Sequence, residues 1–140
     1  MNFDSLSRYA PHALGLLRIV TAVLFIQHGT QKLFGFPASQ MAGDAAAGGL
    51  PPLMLVAAVL EIVGGAAILL GLLTRPVAFV LSGMMAVAYW MAHAPMSIFP
   101  IQNFGETAIM FCFVFLYLVF AGPGAFSVDG TLAKQKLATA

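Results

Sequence analysis

The chain has 140 residues, of which 61% are hydrophobic and 8% are charged, and its formal net charge is +1. A typical soluble domain carries roughly 25% charged residues, so this composition excludes a soluble globular domain. The near-neutral charge excludes the basic surface that nucleic-acid binding requires. The sole cysteine, Cys112, excludes a C-x-x-C redox pair and a thiolate-bound metal within one chain, and no metal site is expected.

Four apolar segments are long enough to cross a hydrocarbon core, which takes about 20 residues with a range of roughly 17–25. We therefore predict an all-α integral membrane protein, folded over residues 1–140 as a single four-helix transmembrane bundle in a lipid bilayer. The predicted spans are residues 13–34, 53–73, 77–93 and 105–121. The first span is too long for the apolar core of a cleavable signal peptide, roughly 7–15 residues, so we expect it to be retained.

The segments between the spans differ in character. Residues 35–49 form a Gly/Ala-rich loop, and residues 95–104 are too polar and proline-rich to span, which favours the interface or the mouth of the bundle. After Phe126 we predict a soluble tail with a turn at Asp129-Gly130. Small residues on the predicted helices indicate close helix packing. They are Gly15, Ala22, Gly29, Gly64, Gly65, Gly71, Ser82 and Gly83.

The lysines and arginines of the short loops are distributed unevenly. If both termini lie on one side, that side holds Arg8, Arg75, Lys134 and Lys136, whereas the other holds Lys32. Because cytoplasmic loops carry an excess of such residues, we predict that both termini are cytoplasmic.

Ionisable residues inside a span cost about 2.5–3.5 kcal/mol each on insertion scales, so each one needs a physical reason. The alternating topology brings most of them to the same end of the bundle. The candidate catalytic residues are His28, Glu61, His93 and Glu106, and the candidate ligand-binding residues are Arg18, Lys32, Tyr89, Trp90 and Asn103. Arg18 lies toward the opposite end, and either it or Lys32 could neutralise Glu61.

Each of these residues also has a purely structural interpretation. Lys32 could extend to the interface, and Tyr89 and Trp90 could belong to an aromatic belt. Glu106 could complement a helix dipole, and His93 could be a hydrated interfacial histidine. A structural salt bridge would account for Glu61.

The order of the polar motifs resembles the DoxX family of small bacterial membrane proteins. The resemblance extends from about Leu14 to Asp129. Its motifs are the strings 17–19, 27–35, 60–65, 70–75, 93–95, 103–106 and 122–124, the last together with Ser127 and Asp129. Phe104 departs from the pattern, because members of the family often have glycine there. The family is similar to the small subunit of archaeal thiosulfate:quinone oxidoreductases. The resemblance thus implies a bacterial inner membrane and a redox context, and it transfers no catalytic residue.

Three functions fit these observations. The first is a quinone-linked oxidoreductase, or the membrane subunit of such a complex, with quinone as the cofactor and a soluble or membrane redox partner. Its protonatable groups would be the four candidate catalytic residues, and Phe25 could line the ring. The second is a non-enzymatic accessory or scaffold subunit, alone or in an oligomer, and the third is small-molecule or proton transport. A haem held by His28 and His93 is a further alternative.

Overall fold

The structure, a computed structural model, describes residues 3–38 and 49–139, so residues 39–48 of the predicted Gly/Ala-rich loop lie outside the described residues. Every regular element in the described ranges is helical. A 3-10 turn, Phe3–Tyr9, leads into α1 (Ala10–Phe34), and α2 (Pro52–Leu70) and α3 (Thr74–Ala88) follow. α3 continues as a π-helical turn, Tyr89–His93, and the chain ends with α4 (Pro100–Asn103), α5 (Glu106–Ala121) and α6 (Val128–Ala138).

The long helices form an integral membrane bundle. Three helical stretches, Ser5–Phe34, Pro52–Leu70 and Thr74–His93, are long and apolar enough to cross a membrane, and α5 is a shorter apolar helix of 16 residues. α1 packs mainly against α2, and α3 packs mainly against α5. The predicted fold class, an all-α integral membrane protein with a four-helix bundle, is confirmed.

Contacts between the helices define two ends of the bundle. Arg18 of α1 reaches the last carbonyls of α2, and Arg75 of α3 reaches the last carbonyls of α5, so both pairs are antiparallel. We call this the tail end, because α6 follows from it. The opposite end, which we call the loop end, holds the end of α1, the start of α2 and residues 94–105.

Helix boundaries at the tail end differ from the predicted spans for a local reason. α2 ends at Leu70 because Gly71 adopts a left-handed conformation, with φ of 65°, and its N–H closes the last turn. α3 already begins at Thr74, where the Asp129 carboxylate accepts hydrogen bonds from the backbone N–H groups of Leu73 (2.9 Å) and Thr74 (2.8 Å). A carboxylate in this position satisfies donors that have no partner within the helix.

The predicted turn at Asp129-Gly130 is wrong, because both residues lie in the first turn of α6. Ser127 is the N-cap of this helix, and its hydroxyl oxygen accepts from the Gly130 N–H at 3.2 Å. Asp129 in the first helical turn also suits the helix dipole. The serine cap therefore favours a helix here, despite the turn propensity of Asp129-Gly130.

Aromatic rings join the two helix pairs in the core. Phe25 of α1 is buried and meets Phe111 and Phe115 of α5 edge-on, at ring-centre distances of 5.1 and 4.8 Å. Ser82 of α3 donates a hydrogen bond of 2.9 Å to the carbonyl of Cys112 in α5. These contacts place Phe25 in the protein core rather than beside a ligand.

Most of the small residues pack as predicted, and Gly29 lies at a close approach between α1 and α2. A β-carbon at Gly29 would lie 2.7 Å from Ile62 Cγ1, 2.8 Å from the Ala58 carbonyl oxygen and 3.0 Å from Glu61 Cβ. Gly83 is different, because nothing lies within 4 Å of the position that its β-carbon would take. The expectation that Gly83 packs against another helix of the chain is therefore wrong.

This difference makes Gly29 and Gly83 a matched pair for mutation. Gly29→Ala should destabilise the bundle by roughly 1–3 kcal/mol, because the Ala58 backbone cannot move away from the added methyl group. Gly83→Ala should be neutral or stabilising by up to about 1 kcal/mol, since alanine favours a helix over glycine. Thermal unfolding in detergent measures both, and equal midpoints for the two variants would contradict the close α1–α2 contact.

Candidate functional site

An ion pair joins α1 to α2 toward the loop end. Lys32 Nζ binds Glu61 Oε1, with 26% of the lysine side chain and 4% of the glutamate side chain exposed. The pair forms where Gly29, one turn before Lys32, allows the two helices to approach. Glu61 therefore pairs with Lys32 and not with Arg18.

The second carboxylate oxygen of Glu61 is buried, and no donor in the described part of the chain reaches it. A buried oxygen without a hydrogen bond costs roughly 1–3 kcal/mol, so such atoms are uncommon in folded proteins. The ion pair thus leaves one strong acceptor, Oε2, buried and without a donor in the described part of the chain.

His28 lies one turn before Lys32 on the same face of α1. Its ring is exposed and meets Phe111 of α5 edge-on, with ring centres 5.7 Å apart and planes at 89°. The charges of Glu61 and Lys32 both act on it. We call His28, Lys32 and Glu61 the Glu61 cluster.

A second group of candidates lies on the π-helical turn that ends α3. The Ala94 N–H donates to the Tyr89 carbonyl at 2.9 Å, five residues back, which widens this turn. Tyr89 stacks on His93 at 6.4 Å and meets Trp90 edge-on at 5.6 Å. Trp90 itself is 71% exposed. Single π turns occur frequently at functional sites, and nothing in the sequence indicated this one.

Asn103 holds the connection between α3 and α5 against the π turn. Its side-chain amide is fully buried, donates to the Ser97 carbonyl at 2.8 Å and to the Tyr89 hydroxyl at 3.4 Å, and accepts from the Gly105 N–H at 2.8 Å. Its backbone oxygen lies 2.9 Å from His93 Nδ1. Asn103 is therefore engaged with the chain itself and acts as a positioning residue.

α5 connects these two groups of residues. A β-carbon at Gly105, just before α5, would lie 2.6 Å from the Tyr89 ring, and Phe111 of α5 contacts His28. Glu106, the first residue of α5, has an exposed side chain. The candidate residues toward the loop end thus fall into two groups, the Glu61 cluster beside α5 and the π turn near the start of α5.

Arg18 does not join the loop-end residues. It is fully buried, and all five of its donors bind backbone carbonyls at the tail end. Nε binds Pro123 at 2.8 Å, Nη1 binds Ile68 at 2.6 Å and Leu69 at 2.5 Å, and Nη2 binds Ala125 at 3.2 Å and Phe126 at 2.8 Å. No donor of Arg18 remains for a ligand.

Sequence reasoning missed the structural role of Asp129, whose carboxylate joins α6 to the start of α3. Burial alone would raise the pKa of Asp129, but hydrogen bonds from Thr74 and Leu73 and the nearby charge of Arg18 lower this pKa below its ordinary value. A charged residue two positions after a serine cap was the available signal, yet its partners are more than fifty positions away in the chain.

Replacing Arg18 tests the tail-end network. Arg18→Lys should lower the free energy of unfolding by roughly 3–5 kcal/mol, because a lysine has three donors on one atom and cannot reach carbonyls of two segments. The matched control is Arg8→Lys, since Arg8 is exposed and stacks over the Tyr9 ring. Unfolding midpoints in detergent compare the two, and an unchanged midpoint for Arg18→Lys would show that the network adds no stability.

Comparison with known proteins identifies the family. Residues 13–94 match the model of the DoxX family. The chain is 45% identical over 135 residues to an uncharacterized protein of Haemophilus influenzae, covering 94% of this chain and 99% of that one. It is 34% identical over 127 residues to the inner membrane protein YqjF of Escherichia coli, covering 84% of this chain and 90% of that one. No solved structure matches the chain. The family model and both long alignments agree with the motifs and the helical bundle, and the chain belongs to the DoxX family of membrane proteins.

Proposed function

We propose that this chain is the membrane subunit of a quinone-linked redox complex and that the Glu61 cluster binds the quinone head group. The proposal places the chain in a bacterial inner membrane. The Escherichia coli relative is named as an inner membrane protein. The observation that carries the proposal is Glu61 Oε2, a buried acceptor without a partner in the described residues, beside an exposed histidine.

The chemistry of the cluster suits a quinol. A quinol hydroxyl is a hydrogen-bond donor, and Oε2 of an ionised Glu61 can only accept. His28 can accept or donate, so it suits either a hydroxyl or a carbonyl of the ring. Phe111, in edge contact with His28, supplies an aromatic surface for the head group.

Oxidation of a quinol releases two protons and two electrons. His28 and Glu61 are the protonatable groups that would take up protons at the cluster. The chain has one cysteine and no G-x-G-x-x-G fingerprint, so we assign the electrons to a soluble or membrane redox partner.

A second function has its own support. Arg18 and Asn103 are fully engaged by the chain, and Lys32 neutralises Glu61, which is the pattern of a structural scaffold. An accessory subunit would need these contacts for folding and would have no use for an exposed His28. The two functions therefore differ in the effect on quinol binding that is expected when His28 is replaced.

His28 and His12 allow a matched test. Each is an exposed histidine of α1 in edge contact with a phenylalanine at 5.7 Å, but His12 contacts Phe126 at the tail end. His28→Leu should weaken binding of a short-chain quinol about tenfold, the effect of losing one hydrogen bond of about 1.4 kcal/mol. His12→Leu should leave binding unchanged, and both variants should keep the thermal stability of the wild type.

The binding is measured by titrating the quinol into purified protein in lipid nanodiscs. Equal affinity for His28→Leu and the wild type would contradict the proposed site. A wild-type protein that does not bind quinol at all would instead favour the scaffold function.

We also propose that both termini face the cytoplasm. Arg75 lies at the tail end with α6, which carries Lys134 and Lys136, whereas Lys32 near the loop end is neutralised by Glu61. The positive charges on short connections thus concentrate at the tail end, which favours the cytoplasmic side.

Cysteine labelling tests this orientation. In a Cys112→Ser background, Ala38→Cys should react with a membrane-impermeant maleimide in intact cells, and Lys134→Cys should react only after the cells are opened. Both positions are exposed in the structure, so accessibility depends on the side of the membrane. The reverse labelling pattern would mean that the tail end faces outward.

A further inference from the structure

The connection between α3 and α5 is strongly apolar on its outside. We call residues 94–105 the loop-end cap. It contains no charged residue, and five of its large apolar side chains are more than half exposed. They are Met96 (62%), Ile98 (83%), Phe99 (59%), Ile101 (72%) and Phe104 (65%).

α5 is too short to cross the hydrocarbon core alone. Its 16 residues make a helix of about 24 Å, against a core of about 30 Å, and the 20 residues of Thr74–His93 reach about 30 Å. At the tail end, Arg75 binds the carbonyls of Val119 and Phe120 at 2.6 and 2.7 Å, which keeps the end of α5 level with the start of α3. The missing length of α5, about 6 Å, therefore falls at the loop end.

The cap occupies this missing length. Asn103 O contacts His93, and Gly105 packs against the Tyr89 ring, so the cap folds back along the last turn of the α3 span. The end of the cap, at Asn103 and Gly105, thus lies level with the last turn of a helix that is long enough to span a membrane. Exposed side chains at this level would face the upper part of the lipid acyl chains.

Irregular backbone at membrane depth needs partners for its polar groups within the protein, and the cap meets this need for most of its N–H groups. Pro95 and Pro100 have no N–H to satisfy. Most of the remaining N–H groups have acceptors in the cap or the π turn. The donors are those of Ala94, Met96, Phe99, Gln102, Asn103, Phe104 and Gly105. The buried Asn103 amide satisfies the Ser97 carbonyl in addition.

From these observations we infer that the loop-end cap is inserted into the bilayer and that its partner is lipid acyl chains rather than water or a soluble protein. The inserted side chains complete the apolar surface that α5 leaves short. The inference does not rest on quinol binding, because it concerns the outer surface of the cap and not the Glu61 cluster.

Tryptophan fluorescence tests the inference, because the chain has a single tryptophan. In a Trp90→Phe background, Ile98→Trp and Ile101→Trp each place a reporter on the cap at an exposed position that tolerates a larger side chain. Leu137→Trp on α6, where the leucine is 81% exposed, is the matched control outside the predicted spans. The three proteins are reconstituted in vesicles, with iodide as the aqueous quencher and lipids brominated near the headgroup as the lipid quencher.

The two cap reporters should be quenched several-fold more by brominated lipid than the Leu137→Trp control, and several-fold less by iodide. Iodide quenching equal to that of the control would overturn the inference, since the cap would then lie in water. Protection from both quenchers would overturn it as well, because a protein surface would cover the cap. Asn103→Ala, which removes the side chain that closes the cap, should raise iodide quenching of either reporter.

Discussion

The guanidinium of Arg18 is the contact on which the tail end depends. A charge buried among membrane helices needs polar partners, and the last carbonyls of a helix have none within that helix. Arg18 resolves both needs at once, because it binds the Ile68 and Leu69 carbonyls of α2 and three carbonyls of residues 123–126. Arg75 does the same for the end of α5. The two arginines tie the end of α2 to α1 and the end of α5 to α3, so that differences in helix length appear at the loop end.

The two ends consequently use their polar atoms differently. At the tail end, the donors of Arg18 and the carboxylate oxygens of Asp129 are all taken by backbone groups of the chain. Toward the loop end, Glu61 keeps a buried oxygen without a described partner, and His28 and Glu106 are exposed. Thr74 Oγ1 at the tail end is also buried without a partner in the described residues, but a carboxylate oxygen is the stronger acceptor, which is why the loop end is the better candidate for a ligand site.

Helix positions were predictable from the sequence because the bilayer imposes a minimum apolar length on each span. The ion-pair partner of Glu61 could not be predicted in this way. Arg18 and Lys32 both lie on α1, and which of them reaches Glu61 depends on the register that Gly29 sets against Ala58. The π turn and the role of Asp129 also depend on contacts that no local pattern contains. Asp129 shows this clearly, because its local sequence favours a turn while its partners at the start of α3 stabilise a helix.

Phe104 of the loop-end cap combines a left-handed backbone conformation with an exposed aromatic ring. Its φ of 56° lies in the left-handed region, where a residue with a β-carbon costs about 1–2 kcal/mol and glycine does not. The resemblance to a family that often has glycine here therefore has a conformational reason. A phenylalanine that is 65% exposed to water would add nothing to offset this strain, whereas burial of the same ring in acyl chains contributes about 1.5–3 kcal/mol. Because only the exposed part of the ring remains to be buried, the gain in lipid is about 1–2 kcal/mol, which matches the cost of the backbone and makes the residue energetically reasonable there.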